Sequence, residues 1–151
     1  MCWYATCLMV ILVITSVAAF TISILTRILI DTFLVERISI AGELFGLEHV
    51  ENSGVAFGID FPPLVRLILI GIAIVFVIVL AYQSRKKVMN SVSFGLIIGG
   101  ALANIVDRLD DGFVTDFIQV GIWPVFNIAD SCITVGVAML VGFEIMIKSK
   151  K

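Results

Sequence analysis

A chain of 151 residues has the size of one domain. With 60% hydrophobic residues and a mean hydropathy of +1.15, it is too apolar for an ordinary soluble domain and falls in the membrane class. A net charge of −2 excludes the basic balance expected of a nucleic-acid binder.

The first apolar run, from Met1 to Thr26, carries no charge. It lacks a basic leader and is too long for the apolar part of a signal peptide, so it is expected to stay as a span over 5–28. An outer segment over 31–62 follows. Within it "RISIAG" alternates polar and apolar residues, a strand pattern. Gly42, Gly46 and Gly54 supply turn points, so a small sheet at the membrane surface is expected here. Pro63 suits the first turn of a second span over 63–83.

A third span is expected over 89–108. Its Gly95, Gly99 and Ala103 form a ridge of small residues that lets another helix approach closely. Asn104, Asp107 and Arg108 close that span on one helical face, where the acid and the base can pair. A second outer segment over 109–127 contains Asp110 and Asp111, a solvated turn before Gly112, and then Asp116. Phe113, Val114, Phe117, Ile118 and Val120 surround Asp116, and burial among them should raise its pKa. A fourth span over 128–147 opens with Asn127 and Asp130. An acid there complements the helix dipole and can cap exposed amides. Glu144, near the far end of this span, reads as an end charge reaching toward water.

The basic residues set the orientation. Arg85, Lys86, Lys87, Lys148, Lys150 and Lys151 fall on one side, which makes that side cytoplasmic and puts both termini there. The expected architecture is an all-α membrane protein. It has four transmembrane helices, with a small periplasmic β-sheet between helices one and two, in a single domain over 1–151.

The chemistry has few candidates. Three cysteines and one histidine, His49, give no paired metal-ligand spacing and one possible imidazole base, so neither a zinc site nor a Ser-His or Cys-His nucleophile is expected. The odd cysteine count, within apolar runs, does not describe a disulfide framework. Two nearby carboxylates need no such partner. They can share a proton, one acting as base and one as acid, and so activate water against an amide. Asp116 and Asp130 can form such a pair, though residue types leave other readings open. One alternative is an ion-coupled transporter with acidic relays, which the clustering of acids at one face disfavours.

"ENSGVAFGI", "GGALANIVDRL", "VTDFIQV" and "WPVFNIADSCITVG" occur in that order over four apolar runs. The ordered set resembles the lipoprotein signal peptidase (signal peptidase II) family across essentially the whole chain. That resemblance implies an aspartyl endopeptidase of the bacterial inner membrane. It would remove the signal peptide from diacylglyceryl-modified prolipoproteins, before the lipidated cysteine, with no cofactor or metal and no obligatory oligomer. It implies catalytic roles for Asp116 and Asp130. Asn52, Asn104, Asp107, Arg108 and Asn127 would bind substrate or support the site, and the outer sheet would cradle the substrate. Two positions depart from the family's pattern. Ser23 stands where an aspartate is usual, with Arg27 for a lysine, and Ala103 stands where a glycine is usual. A catalytically impaired relative that binds lipidated peptides is therefore the alternative within the family.

Overall fold

The computed structural model describes residues 2–54, 62–84 and 88–148. Among the described residues are four helices, α1 (Cys2–Phe33), α2 (Pro63–Ser84), α3 (Val88–Asp111) and α4 (Ile128–Lys148), and three strands, β1 (Ile38–Ala41), β2 (Phe45–Asn52) and β3 (Val114–Val120). Three helical stretches, Trp3–Phe33, Leu64–Gln83 and Val88–Asp111, are long and apolar enough to cross a membrane. The apolar stretch of α4, Ile128–Phe143, is shorter. The 32 residues of α1 measure about 48 Å at 1.5 Å per residue, longer than a hydrocarbon core of about 30 Å. The helix therefore outruns the expected 5–28 span at both ends, with Arg27 and Asp31 in its last two turns. Residues 55–61, which include the last five of the "ENSGVAFGI" motif, lie outside the described residues, as do Arg85, Lys86, Lys87, Lys150 and Lys151, on which the expected orientation rests.

The central helix is α3, with α1 and α4 packed along it and α2 resting mainly on it. Lipid gives no hydrophobic drive to helix association, so close backbone approach has to supply it. The expected ridge does this against α1. A Cβ on Gly95 would lie 2.6 Å from Thr15 Cβ, and one on Gly99 would run into the Ser16 carbonyl. A second seam, not anticipated, joins α3 to α4. A Cβ on Gly100 would meet the Ala129 carbonyl at 2.5 Å, and one on Gly136 the Ser93 carbonyl at 2.7 Å. The remaining faces of α1 and α2 expose apolar side chains such as Val13, Ile14, Leu25, Ile72 and Phe76.

The sheet is antiparallel in the order β1-β2-β3. It differs from the expected one: the third strand comes from the segment between α3 and α4, so the sheet joins both outer segments. The 114–120 stretch concealed this strand because both its faces are largely covered. Val114, Thr115, Asp116 and Phe117 are all buried, and no alternation appears in the sequence. Gly42, at φ 60°, makes the β1–β2 turn, whereas Gly46 lies inside β2 and lets the Ile38 carbonyl come close.

Candidate active site

A bulge in β2 determines which residue meets Asp116. Leu47 pairs with Ile118 and Val50 with Asp116, so β2 advances three residues while β3 advances two. In an unbroken ladder, Glu51 would share Asp116's face, because side chains alternate strictly along a strand. The extra residue rotates the strand and puts Asn52 there instead. Asn52 Nδ2 donates to Asp116 Oδ2 at 2.7 Å, and its Oδ1 accepts from the Gly54 amide at 2.8 Å.

The other side of Asp116 is met by the chain that returns from β3. Gly121, at φ 55°, turns it back, and Phe126 bridges Ile118 through paired backbone hydrogen bonds of 2.7 and 3.2 Å. That bridge delivers Asn127 to β3. Its Nδ2 donates to Asp116 Oδ1 at 2.8 Å and lies 3.2 Å from Asn104 Oδ1. Its Oδ1 accepts from the Asp130 amide at 2.8 Å. Asn127 is therefore the N-cap of α4. The expectation that Asp130 caps this helix is corrected. With the amides answered by Asn127, the Asp130 carboxylate is free to turn to α3, where Asn104 Nδ2 donates to its Oδ1 at 2.8 Å.

Asn127 and Asn104 thus link the two carboxylates through three side-chain hydrogen bonds. Asp116 is 1% exposed. Burial lifts its pKa to about 6, with the charge of Asp130 adding to the rise, while the hydrogen bonds from Asn52 and Asn127 and the positive charge of Arg108 oppose it. Asp130, Asn52, Asn104 and Arg108 line a cleft of about 260 Å³ together with Ile70, Ala101, Val114 and Ile133. Ile70, Ala101 and Ile133 also line a wholly apolar cleft of about 310 Å³ that runs between α2 and α4.

The expected pairing of Asp107 with Arg108 does not occur. Asp107 faces α1, where Arg27 Nε lies 2.7 Å from its Oδ1, and its Oδ2 accepts from the Thr115 amide at 2.9 Å. Arg108 turns the other way and donates to the Gly54 carbonyl at 2.8 Å and to the Asn104 carbonyl at 3.2 Å. Asp110 is largely exposed, as expected, and its Oδ2 accepts from Arg27 Nη2 at 2.9 Å. Ser23 donates to the Ala19 carbonyl one turn back and lines a small cavity of about 10 Å³ with Arg27, Asn104 and Asn127. Arg27 and Thr115 were not singled out as site residues from the sequence. The available signal was a cation at the end of span one, on the same side as the acids. Cys7 and Cys132 are free thiols, and no cluster of His, Cys, Asp or Glu suited to a metal occurs among the described residues.

Comparison with known proteins identifies the family. Residues 8–146 match the family described as Signal peptidase (SPase) II. The chain is 43% identical over 122 residues to the lipoprotein signal peptidase of Chlorobium luteolum, covering 72% of this chain and 73% of that one. It is 40% identical over 141 residues to that of Pelodictyon phaeoclathratiforme, covering 82% and 83%. A solved bacterial membrane enzyme superposes with a TM-score of 0.82 at 26% identity, over 93% of this chain and 90% of that one. The chain belongs to the signal peptidase II family.

Proposed function

We propose that this protein is a prolipoprotein signal peptidase of the aspartic type, cutting diacylglyceryl-modified prolipoproteins before the lipidated cysteine. The observation that carries the reading is the pair of carboxylates, Asp116 and Asp130, linked through Asn127 and Asn104. A buried acid with a pKa near 6 keeps its proton at mildly acidic pH and can give it up within a reaction. Asp130, in the wall of the cleft, faces the space where water and the scissile amide would meet.

In this mechanism Asp130 takes a proton from the water as its oxygen bonds to the amide carbon. Asp116 gives its proton to the departing nitrogen as the carbon–nitrogen bond breaks. A carboxyl terminus and a free amine result, and proton exchange with water resets the pair. General acid–base assistance of this kind contributes about 10²- to 10⁴-fold. Asn104 and Asn127 hold the carboxylates at fixed spacing, and Asn52 keeps the outer oxygen of Asp116 engaged. Arg108 ties the end of β2 to α3 beside the substrate backbone, and Asp107 supports β3. The apolar cleft between α2 and α4 suits the apolar part of a lipidated signal peptide entering sideways from the bilayer.

This reading makes α4 a fourth span and the chain one integral peptidase domain in the bacterial inner membrane. Both termini are cytoplasmic and the sheet lies near the periplasmic face. The site depth follows from the chemistry: water is scarce deeper in lipid, and a lipid-anchored amide does not reach far outside it. The test is cleavage of a diacylglyceryl prolipoprotein by purified Asp116→Asn and Asp130→Asn variants. Each is expected to lose about 10³-fold in kcat. A variant that cuts at the wild-type rate removes that residue from the mechanism.

A further inference from the structure

Asn52 reaches Asp116 only if β2 and β3 keep their register at the bulge, and one side chain of α1 is tied to both strands. The Arg27 guanidinium has three carboxylates around it. Its Nε lies 2.7 Å from Asp107 and 2.9 Å from Asp31, and its Nη2 lies 2.9 Å from Asp110. Nε makes no aligned hydrogen bond, so its hold on Asp107 and Asp31 is Coulombic.

Each of the two nearer acids passes the constraint on. The second oxygen of Asp107 accepts from the amide of Thr115, the residue before Asp116 on β3. The second oxygen of Asp31 lies 3.0 Å from His49 Nε2, at the bulge of β2. Arg27 is thus tied through one acid to the strand bearing Asp116 and through the other to the strand bearing Asn52.

Burial distinguishes the Asp107 arm from an ordinary surface ion pair, whereas the Asp31 and His49 side chains of the other arm are about one-third exposed. Asp107 is 5% exposed and Thr115 is 7% exposed. Exposed pairs contribute little to stability, but a buried carboxylate that loses its cation must protonate or move toward water. Either change loosens the acceptor that holds the Thr115 amide.

We propose that Arg27 is a positioning residue for the cleavage reaction, fixing the approach of Asn52 to Asp116 by bracing β3 through Asp107 and the β2 bulge through Asp31. This rests on the catalytic reading of Asp116. Arg27 touches neither member of the acidic pair, and its effect is on rate rather than on substrate capture.

The test compares Arg27→Gln, Arg27→Lys, the Asp31→Asn/Asp107→Asn double variant and the Arg27→Gln/Asp31→Asn/Asp107→Asn triple variant, with Asp116→Asn beside them, in full-length enzyme on a diacylglyceryl prolipoprotein. Arg27→Gln is expected to lose about tenfold or more in kcat with KM changed by less than about twofold. Arg27→Lys, which keeps the charge, should recover roughly half or more of the wild-type kcat. The triple variant should be no slower than the double variant, because both acids through which Arg27 braces the strands are already neutral.

An Arg27→Gln enzyme with wild-type kcat overturns the proposal. So does a triple variant about tenfold slower than the double variant, a comparison that holds even where Arg27→Gln alone folds poorly. Asp116→Asn at the wild-type rate overturns the catalytic reading and the brace together. An inactive Asp116→Asn beside a fully active Arg27→Gln overturns the brace alone.

Discussion

The two halves of α3 hold their neighbours by different means. Along Gly95, Gly99, Gly100 and Ala103 the helix meets α1 and α4 through close backbone approach, without side-chain hydrogen bonds between helices at those positions. From Asn104 onward it meets α4 and the sheet through amide, carboxylate and guanidinium groups. The apolar half fixes how far apart the helices sit. The polar half fixes which groups face one another. Where lipid replaces water, neither task falls to hydrophobic burial between helices. The side of the molecule formed by α2 has no glycine of this kind: a Cβ on Gly71 would meet nothing within 4 Å, and an apolar cleft separates α2 from α4.

Crossing the two halves by mutation tests this division. Asp116→Asn and Asp130→Asn should cost about 10³-fold in kcat while thermal unfolding in detergent stays close to wild type. Gly99→Val should do the reverse in kind, lowering unfolding free energy by about 3 kcal/mol as the helices are forced apart, with the dyad's residues untouched. An Asp116→Asn protein that fails to fold, or a Gly99→Val protein as stable as wild type, would break the contrast.

Within the polar half, Asn52→Ala should lower kcat by about tenfold, since one of two hydrogen bonds to Asp116 is lost. Its pH dependence sharpens the point. In the proposed mechanism Asp116 carries the proton for the leaving nitrogen below about pH 6 and has lost it above, so kcat/KM should fall as pH rises through about 6. The Asn52 hydrogen bond favours the carboxylate and lowers this pKa, so Asn52→Ala should move the falling limb to higher pH. A limb that stays in place, or moves down, would deny Asn52 its electrostatic role. The smallest effect belongs to the α2 side. Gly71→Ala should leave activity unchanged and raise helix stability by less than about 1 kcal/mol, in contrast to any enlargement at Gly95, Gly99 or Gly136.

Much of the helical frame was legible in the sequence because its causes are local. Uncharged runs of sufficient length make helices in lipid, Pro63 starts α2, and the spacing of Gly95, Gly99 and Ala103 marks a packing ridge. Asn104, Asp107, Arg108, Asp116, Asn127 and Asp130 were conspicuous as polar residues beside apolar runs, whereas Asn52 was reached only through the family resemblance. Their partners were not. Asp107 next to Arg108 suggested a pair, but neighbouring positions on a helix point about 100° apart, and each found a longer-range partner. Asp130 suggested a cap, but a side chain three residues earlier took that role.

By itself the sequence determined which segments are apolar enough to become helices and which polar residues lie at their ends. Only the tertiary structure decided that β3 joins the sheet, that a single extra residue in β2 offers Asn52 rather than Glu51 to Asp116, and that Arg27 answers Asp107. The physical reason is range. Helix formation follows from side chains a few positions apart, whereas strand register and buried charge pairing are settled between residues that are distant in the chain, where a shift of one position turns a side chain to the opposite face.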